Sequence, residues 1–261
     1  LRNAHGYDMK YTPVLIFLLL PALVLAGTVQ EIKQLDLSIQ GIDGLVVSCG
    51  AGLLDLNGVE GRDKIRVTAE IEVEGLQKED FQKFFEKNVR LNLEKRNNKA
   101  LLKSEVQKYA PVELEARINL MIEVPLELDV NIADGSGTIR VQNLVGNLKI
   151  DDDTGKIQVE NIFGKVIVND ASGKIDIEDI RGSVMVRDGS GPIQIDHING
   201  DVYVTDGSGD MTILHVDGNV TVSDDSGDID ISDVSRAVFI SAAGSGELNI
   251  ERVRGKITTR E

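Results

Sequence analysis

Aspartates recur at intervals of 18 residues through the second half of this 261-residue sequence. The series is Asp134, Asp152, Asp170, Asp188, Asp206 and Asp224. If the segments that carry them stack, the carboxylates form a column, and neighbours about 5 Å apart repel each other by roughly 1 kcal/mol in water. Calcium could hold such carboxylates together, because Ca²⁺ takes oxygen ligands from side chains and turn carbonyls. The calcium hypothesis assigns as ligands Asp152, Asp170, Asp188, Asp206 and Asp224.

The same aspartates also have a structural interpretation. Each opens a turn of the form Asp-x-Ser-Gly or Asp-x-Thr-Gly, in which the carboxylate can accept hydrogen bonds from the turn's own backbone N–H groups. We favour this interpretation because such turns are common and the Gly-Gly-x-Gly-x-Asp calcium repeat is absent. Apart from this possible calcium, the sequence predicts no cofactor.

A second column follows from the residues nine positions after each of these aspartates and from Arg252, which stands at the equivalent point of the last repeat. It consists of Asn143, Asn161, Asp179, His197, His215, Asp233 and Arg252. Two stacked histidines with a carboxylate on either side are acceptable ligands for a divalent transition metal. The candidate ligands are therefore His197, His215, Asp179 and Asp233. The alternative is a turn position, at which Asn and Asp are favoured and His is tolerated, and a linear column gives poor tetrahedral geometry.

Signals for catalysis are weak. The sequence has no Gly-rich phosphate loop, zinc motif or nucleophile elbow, and it offers few bases other than carboxylates. We therefore predict that the protein is not an enzyme. The alternative is a carbohydrate-active or metal-dependent enzyme, which would need a concave cluster of carboxylates outside the two columns.

The element that must position both columns is a repeat. Ser/Thr-Gly pairs begin at Ser136, Thr154, Ser172, Ser190, Ser208, Ser226 and Ser245. Counted from that Ser or Thr, positions 4, 6, 9, 13 and 15 are aliphatic and alternate with polar residues, as in strands with one buried face. A fixed period of this size is typical of stacked coils. We predict an all-β, single-stranded β-solenoid whose seven coils occupy residues 134–261.

Residues 27–133 are predicted to form a diverged first coil and a small α+β cap. Gly52, Leu54 and Leu56 match the start of a coil, and Ile65 with Val67 would supply its return strand. Residues 77–89 have the phenylalanine spacing of a short amphipathic helix. Two alternating runs on either side of Asn97-Asn98 predict a β-hairpin.

The N-terminus predicts export. Residues 14–26 form an apolar run that is short for a membrane span and ends in small residues. We predict a signal peptide over residues 1–26, cleaved after Ala26, in which Met9 is the start and residues 1–8 are an upstream artefact. An uncleaved anchor is the alternative. The single cysteine, Cys49, excludes an internal disulfide, and we expect it to be buried.

The net charge of −15 excludes two classes of partner. Nucleic acid would be repelled through its phosphates, and adsorption to an anionic membrane is disfavoured for the same reason. After cleavage of the signal, we predict no membrane span.

The export signal, the Gly50-Ala51-Gly52 triplet, the Val124-Pro125 strand and the Ser-Gly repeats together resemble the bacterial adhesin-like family of β-strand repeats, a domain of unknown function. The resemblance covers nearly all of residues 30–261. It implies a periplasmic, cell-surface or secreted β-solenoid and carries over no catalytic residue. We therefore predict an exported structural or binding module whose partner is a macromolecule or polysaccharide of the cell envelope. A homo-oligomer could form through the open edge of the last coil, where Arg252, Arg254, Lys256 and Arg260 are concentrated.

Overall fold

A computed structural model describes residues 24–25, 27–107 and 114–260. The predicted signal peptide over residues 1–26 falls almost wholly outside these ranges, so its cleavage stays a prediction. Within the described ranges, no helix has the length and apolar character that a membrane span requires.

The described chain consists of β-strands and one short α-helix. The strands of the N-terminal part are β1 (Val24–Leu25), β2 (Thr28–Ser38), β3 (Gly44–Cys49), β4 (Ala51–Val59), β5 (Lys64–Glu74), β6 (Val89–Arg96), β7 (Lys99–Val106) and β8 (Ala116–Pro125). The helix is α1 (Phe81–Asn88), preceded by a 3₁₀ turn (Lys78–Asp80). The repeats contain β9 (Asp129–Asp134), β10 (Ser136–Leu144), β11 (Leu148–Asp152), β12 (Gly155–Ile162), β13 (Val166–Asp170), β14 (Gly173–Ile180), β15 (Val184–Asp188), β16 (Ile193–Ile198), β17 (Val202–Asp206), β18 (Met211–Val216), β19 (Val220–Ser226), β20 (Ile229–Val234), β21 (Val238–Ser245), β22 (Leu248–Val253) and β23 (Ile257–Thr259).

These strands form two sheets. The first sheet has 12 strands in the order β1-β2-β5-β8-β4-β10-β12-β14-β16-β18-β20-β22. The second sheet has 11 strands in the order β23-β21-β19-β17-β15-β13-β11-β9-β3-β7-β6. Each repeat therefore contributes one strand to the first sheet and the next strand to the second sheet.

Neighbouring repeats pair in parallel and in register. Ile157 lies beside Ile175 in the first sheet, and Val166 lies beside Val184 in the second. An offset of 18 residues thus becomes one step along the solenoid axis. The predicted all-β solenoid of seven coils about 18 residues long is confirmed.

Aliphatic side chains fill the space between the two sheets. In the third coil these are Ile175, Ile177, Ile180, Val184 and Val186, none of which is more than 1% exposed. Burying one face of each strand leaves the alternate residues outside, because strand side chains point to opposite faces in turn. The solenoid therefore presents two long outer faces to the solvent.

Glycine at the two turns of each coil allows neighbouring backbones to approach closely. Gly173, at position 2, has φ +146°, and a Cβ there would lie 1.6 Å from the carbonyl oxygen of Gly155. Gly164, at position 11, would place a Cβ 2.2 Å from the carbonyl oxygen of Gly146. Its φ lies outside the left-handed region, so close approach alone requires glycine there.

The sixth coil contains a bulge. The pairing of β19 with β21 shifts by one residue between Val222 and Ser223, so that Ser223 lies beside Ala242. The extra residue, Ser241, donates a hydrogen bond from its Oγ to the carbonyl oxygen of Val222 at 3.1 Å. This is the extra residue that makes the last spacing 19 rather than 18.

The predicted start of the first coil agrees with the structure, but its return strand was assigned wrongly. Gly52 lies beside Gly137 and Leu54 beside Ile139 in the first sheet. However, Ile65 and Val67 belong to β5, which runs antiparallel to β2 and β8 within that same sheet. The sequence after residue 64 has no turn before Gly75, so β5 continues far beyond the five residues of a return strand.

The cap contains the predicted helix and hairpin. Phe81 and Phe84 of α1 are buried, and β6 pairs with β7 across the two-residue turn Asn97-Asn98. Cys49 is half-buried rather than buried, with its Sγ 3.7 Å from the carbonyl oxygen of Ala133. Strands β1 and β6 are the outermost strands of the two sheets at this end of the solenoid.

Strands β22 and β23 lie at the opposite end. Two of the basic residues there already contact the chain itself. Arg252 binds the carboxylate of Asp233 through its Nε and one terminal nitrogen, each at 2.9 Å. The Arg260 guanidinium lies 5.1 Å from the centre of the Phe239 ring. Pairing of this end with a second copy stays a prediction.

Candidate functional site

The aspartate column lies inside the corner of the solenoid. All six side chains are buried, from 8% exposed at Asp134 to 0% at Asp224. One oxygen of several members accepts a hydrogen bond from the backbone N–H two residues later, at 3.3 Å in the pairs Asp170–Ser172, Asp188–Ser190 and Asp224–Ser226. These bonds are the turn interaction that the sequence favours.

The second oxygen is different. Among the described residues, nothing donates a hydrogen bond to the buried Oδ2 of Asp152, Asp170, Asp188 or Asp224. A buried carboxylate oxygen without a donor is costly when charged. The turns therefore account for only one oxygen of each of these four carboxyl groups, and both side-chain oxygens of Asp134 and Asp206 are buried without a hydrogen-bond partner among the described residues.

Burial changes the protonation of the column. It raises the pKa of Asp152 to about 7, with a further contribution from the neighbouring carboxylates of Asp134 and Asp170. Burial likewise raises the pKa of Asp188 to about 6 and that of Asp206 to about 6. A proton can thus neutralise these groups near neutral pH. Calcium binding by the column stays a prediction, and protonation is a competing way to relieve the same repulsion.

The second predicted column has an unexpected backbone conformation. Every member has a left-handed φ, and the values are 60° at Asn143, 54° at Asn161, 55° at Asp179, 54° at His197, 49° at His215, 58° at Asp233 and 50° at Arg252. Asn, Asp and His are the residues other than glycine that are enriched in this region. The backbone therefore explains much of the composition of the column.

Side chains of this column contact one another from coil to coil. Asn161 donates a hydrogen bond from Nδ2 to Oδ1 of Asn143 at 2.6 Å, and Asn143 donates to Oδ1 of Asn57 at 2.7 Å. The rings of His197 and His215 stack with their centres 4.6 Å apart and an interplanar angle of 21°. Stacking of these histidines, predicted from their 18-residue spacing, is present.

The carboxylate that completes this pair is Asp196, which is absent from the predicted ligand set. Its Oδ1 lies 2.7 Å from Nδ1 of His215 and 3.1 Å from Nδ1 of His197, and it also accepts the backbone N–H of His197 at 2.8 Å. Asp233 lies farther off, with Oδ2 3.9 Å from Nε2 of His215. The structure thus brings the two histidines together with Asp196 instead of Asp179.

Strand alternation explains why Asp196 was missed. Consecutive strand residues point to opposite faces, so a residue next to a predicted ligand is expected to lie on the opposite face of the sheet. In β16, however, Asp196 and His197 both stay outside the core, and alternation resumes at buried Ile198. The left-handed residue interrupts the alternation.

The outer face of the second sheet carries an apolar column. It consists of Ile167, Met185, Tyr203, Thr221 and Phe239, which lie beside one another in register. Four of these are aliphatic, thioether or aromatic residues, and Thr221 adds a methyl group beside its hydroxyl group. Tyr203 is 41% exposed, and the other four are half-buried. We name these five residues the outer apolar column. Their recurrence at 18-residue intervals could have been recognised in the sequence.

The outer face of the first sheet differs in character. Its third coil presents Lys174, Asp176 and Glu178, and Lys174 Nζ lies 2.7 Å from the Asp176 carboxylate. The turns that join strands within the seven coils are only two to four residues long. Within the seven coils, neither face therefore has the long loops from which an enzyme cleft is built.

A family model described as Toastrack DUF4097 matches residues 59–259. Similar solved structures include a proposed cell adhesion protein from Clostridium sporogenes, 11% identical, with a TM-score of 0.40 over 88% of this chain and 98% of that chain. A proposed adhesin from Bacteroides fragilis is 11% identical, with a TM-score of 0.49 over 88% and 97% of the two chains. A proposed lipid-binding protein from Parabacteroides distasonis is 14% identical, with a TM-score of 0.39 over 88% and 97%. No curated protein matches the chain.

Proposed function

We propose that this chain, which belongs to the Toastrack DUF4097 family, is an exported binding module without catalytic activity. Its repeats had predicted a resemblance to an adhesin-like family of β-strand repeats. Its ligand is an uncharged polysaccharide of the cell envelope, held on the outer face of the second sheet. The family is not a known enzyme family, which agrees with the weak catalytic signals in the sequence.

The outer apolar column is the observation that carries this proposal. Its side chains lie about 4.8 Å apart because that is the spacing of paired strands, so five of them extend over roughly 19 Å. An elongated ligand matches this shape better than a compact one does. Tyr203 adds an apolar ring with a polar hydroxyl group. This combination is enriched at contact surfaces that have both an apolar and a hydrated side.

The residues beside the column favour a sugar polymer. Strand alternation places Asn169 and Thr205 on the same outer face. Amide and hydroxyl side chains can donate and accept hydrogen bonds, as sugar hydroxyl groups require, while apolar side chains contact the C–H face of a sugar ring. Since the chain has a net charge of −15, an anionic polymer would be repelled.

Affinity electrophoresis in gels that contain a soluble uncharged polysaccharide, such as β-glucan, mannan or xylan, tests the proposal. Migration of the purified protein should be retarded by at least one of them. The double substitution Met185→Ser/Tyr203→Ser should weaken that binding by at least about tenfold, or about 1.4 kcal/mol. Substitution of Gln158→Ser on the first sheet, a matched surface change, should leave it intact.

Two results would contradict the proposal. One is a lack of retardation by every polysaccharide, and the other is retardation that the double variant retains. Release of reducing sugar during incubation would instead favour the carbohydrate-active alternative.

A further inference from the structure

The edge between the fourth and fifth coils gathers three possible metal ligands, Asp196, His197 and His215, which we name the His–Asp cluster. Its three nearest ligand atoms all lie within 4.8 Å of one another. We propose that this cluster binds a divalent transition metal ion of the Zn²⁺ class. The site is independent of the outer apolar column and of the polysaccharide proposed there.

The donor set fits such an ion. Two imidazole nitrogens and one carboxylate oxygen are ligands for Zn²⁺, at bond lengths of about 2.0–2.2 Å. Ligand atoms at those distances in a tetrahedral shell are separated by about 3.3 Å. The Asp196 Oδ1 lies 2.7 and 3.1 Å from the two Nδ1 atoms, so both distances are already close to that separation. Three protein ligands leave one position for water or a further ligand.

The rings must rotate to bind the ion. Imidazole lone pairs lie in the ring plane, and two rings inclined by only 21° do not aim at a common point. The side chains of His197 and His215 are 54% and 49% exposed, so rotation about the Cβ–Cγ bond meets little obstruction. The backbone needs no change, because both residues already share the left-handed conformation.

Asp233 and Arg252 support the site from the next two coils. A histidine that binds a metal through one nitrogen usually donates its other N–H to a carboxylate, which fixes its tautomer. Asp233 Oδ2 lies 3.9 Å from Nε2 of His215, and Arg252 holds that carboxylate through two bonds of 2.9 Å. A separation of 3.9 Å is longer than a hydrogen bond, so Asp233 can orient His215 only after the ring has rotated. Within this proposal Asp233 takes that orienting role and is not a ligand, which differs from the role predicted from the sequence.

Calorimetric titration of the untagged protein with ZnCl₂ tests the proposal. We expect one ion per chain. The substitutions His197→Asn and His215→Asn should each weaken binding by about 10- to 100-fold or more, because loss of a residue that only orients a metal ligand already weakens binding by that much. Asn occupies the same left-handed position at Asn143 and Asn161, so these variants preserve the backbone.

Asp179→Asn provides the matched control, because it changes the same column one coil before the cluster. Its Zn²⁺ affinity should equal that of the wild type. Co²⁺ titration gives a second readout, since a tetrahedral site produces strong visible absorption that both histidine variants should lose. The proposal is overturned if the wild type binds no Zn²⁺ or if the double variant His197→Asn/His215→Asn binds it equally well.

Discussion

The backbone N–H of Ser190 donates a hydrogen bond to Oδ1 of Asp188 at 3.3 Å, while the Oδ2 of the same carboxyl group is buried without a donor in the described chain. The same half-satisfied arrangement recurs at Asp170 and Asp224. A proton on the free oxygen removes the charge but keeps the turn hydrogen bond. The solenoid therefore contains a row of carboxyl groups whose protonation is coupled to folding.

This coupling predicts that the protein is more stable at mildly acidic pH. The pKa of Asp188 is raised to about 6 and that of Asp152 to about 7 in the folded protein, against about 3.9 in an unfolded chain. The folded state thus binds more protons between these values, and the stability that they contribute is present below pH 4 and lost as the pH rises through 6 to 7. The melting temperature should fall between pH 5 and pH 8.

Substitution of Asp188→Asn tests this prediction directly. Asn keeps an oxygen for the Ser190 N–H but does not titrate, so the melting temperature of the variant should depend less on pH. Glu178→Gln, on the exposed outer face, removes the same charge without touching the column and serves as the control. A melting temperature that rises from pH 5 to pH 8 in the wild type would refute the coupling.

Close approach of neighbouring coils predicts severe effects at the position 2 glycines. In Gly173→Ala, the new Cβ would lie 1.6 Å from the Gly155 carbonyl oxygen, so the coils must separate, at a cost of roughly 3 kcal/mol or more. Gly61 has φ +68° with nothing within 4 Å of a Cβ. Gly61→Ala should therefore cost only about 1–2 kcal/mol, the price of a left-handed alanine. Because Gly173 also has a left-handed φ of +146°, the packing effect alone is isolated by Gly164→Ala, whose Cβ would lie 2.2 Å from the Gly146 carbonyl oxygen at an ordinary φ. Urea unfolding of the three variants measures each loss, and a loss for Gly164→Ala no larger than that for Gly61→Ala would show that packing between coils is unimportant.

Asn57, Asn143 and Asn161 hydrogen-bond to one another from coil to coil and are named here the asparagine ladder. The ladder predicts that exchanging an amide for a carboxylate and the reverse exchange have different effects on stability. Asn143→Asp removes the donor to Asn57 and should lower the free energy of unfolding by about 1 kcal/mol. The reverse change, Asp179→Asn, keeps the left-handed preference at the same position and should be neutral or stabilising. Chemical denaturation at pH 7 measures both, and an unchanged midpoint for Asn143→Asp would show that the ladder contributes nothing.

Much of this architecture follows from the repeat alone. The period of 18, the alternating aliphatic residues and the paired glycines determine the coil, since few other folds bury identical residues at a fixed interval. The hairpin at Asn97-Asn98 and the helix with Phe81 and Phe84 follow from local signals of the same kind. These features depend on short stretches of chain, in which the spacing of residues along the sequence indicates the local backbone structure.

Features that depend on pairing between distant strands were harder to predict. The partners of β5 depend on strand order, which the alternation of Ile65 and Val67 does not reveal. Asp196 was missed because a single left-handed residue, His197, interrupts the alternation of inward and outward side chains along β16. The free oxygens of the aspartate column depend on burial at a corner, and the sequence alone gives no measure of that burial.

The parallel register has a further consequence for how such a protein can change. Backbone hydrogen bonds, and not side chains, fix the interval of about 4.8 Å between coils. Substitution of an outward-facing residue can therefore alter which chemical group stands at a given point of the surface without moving that point. Duplication of one 18-residue unit would extend the array by one interval and leave the spacing between all neighbouring coils unchanged. The solenoid thus holds exchangeable surface side chains at positions whose spacing is fixed by the backbone.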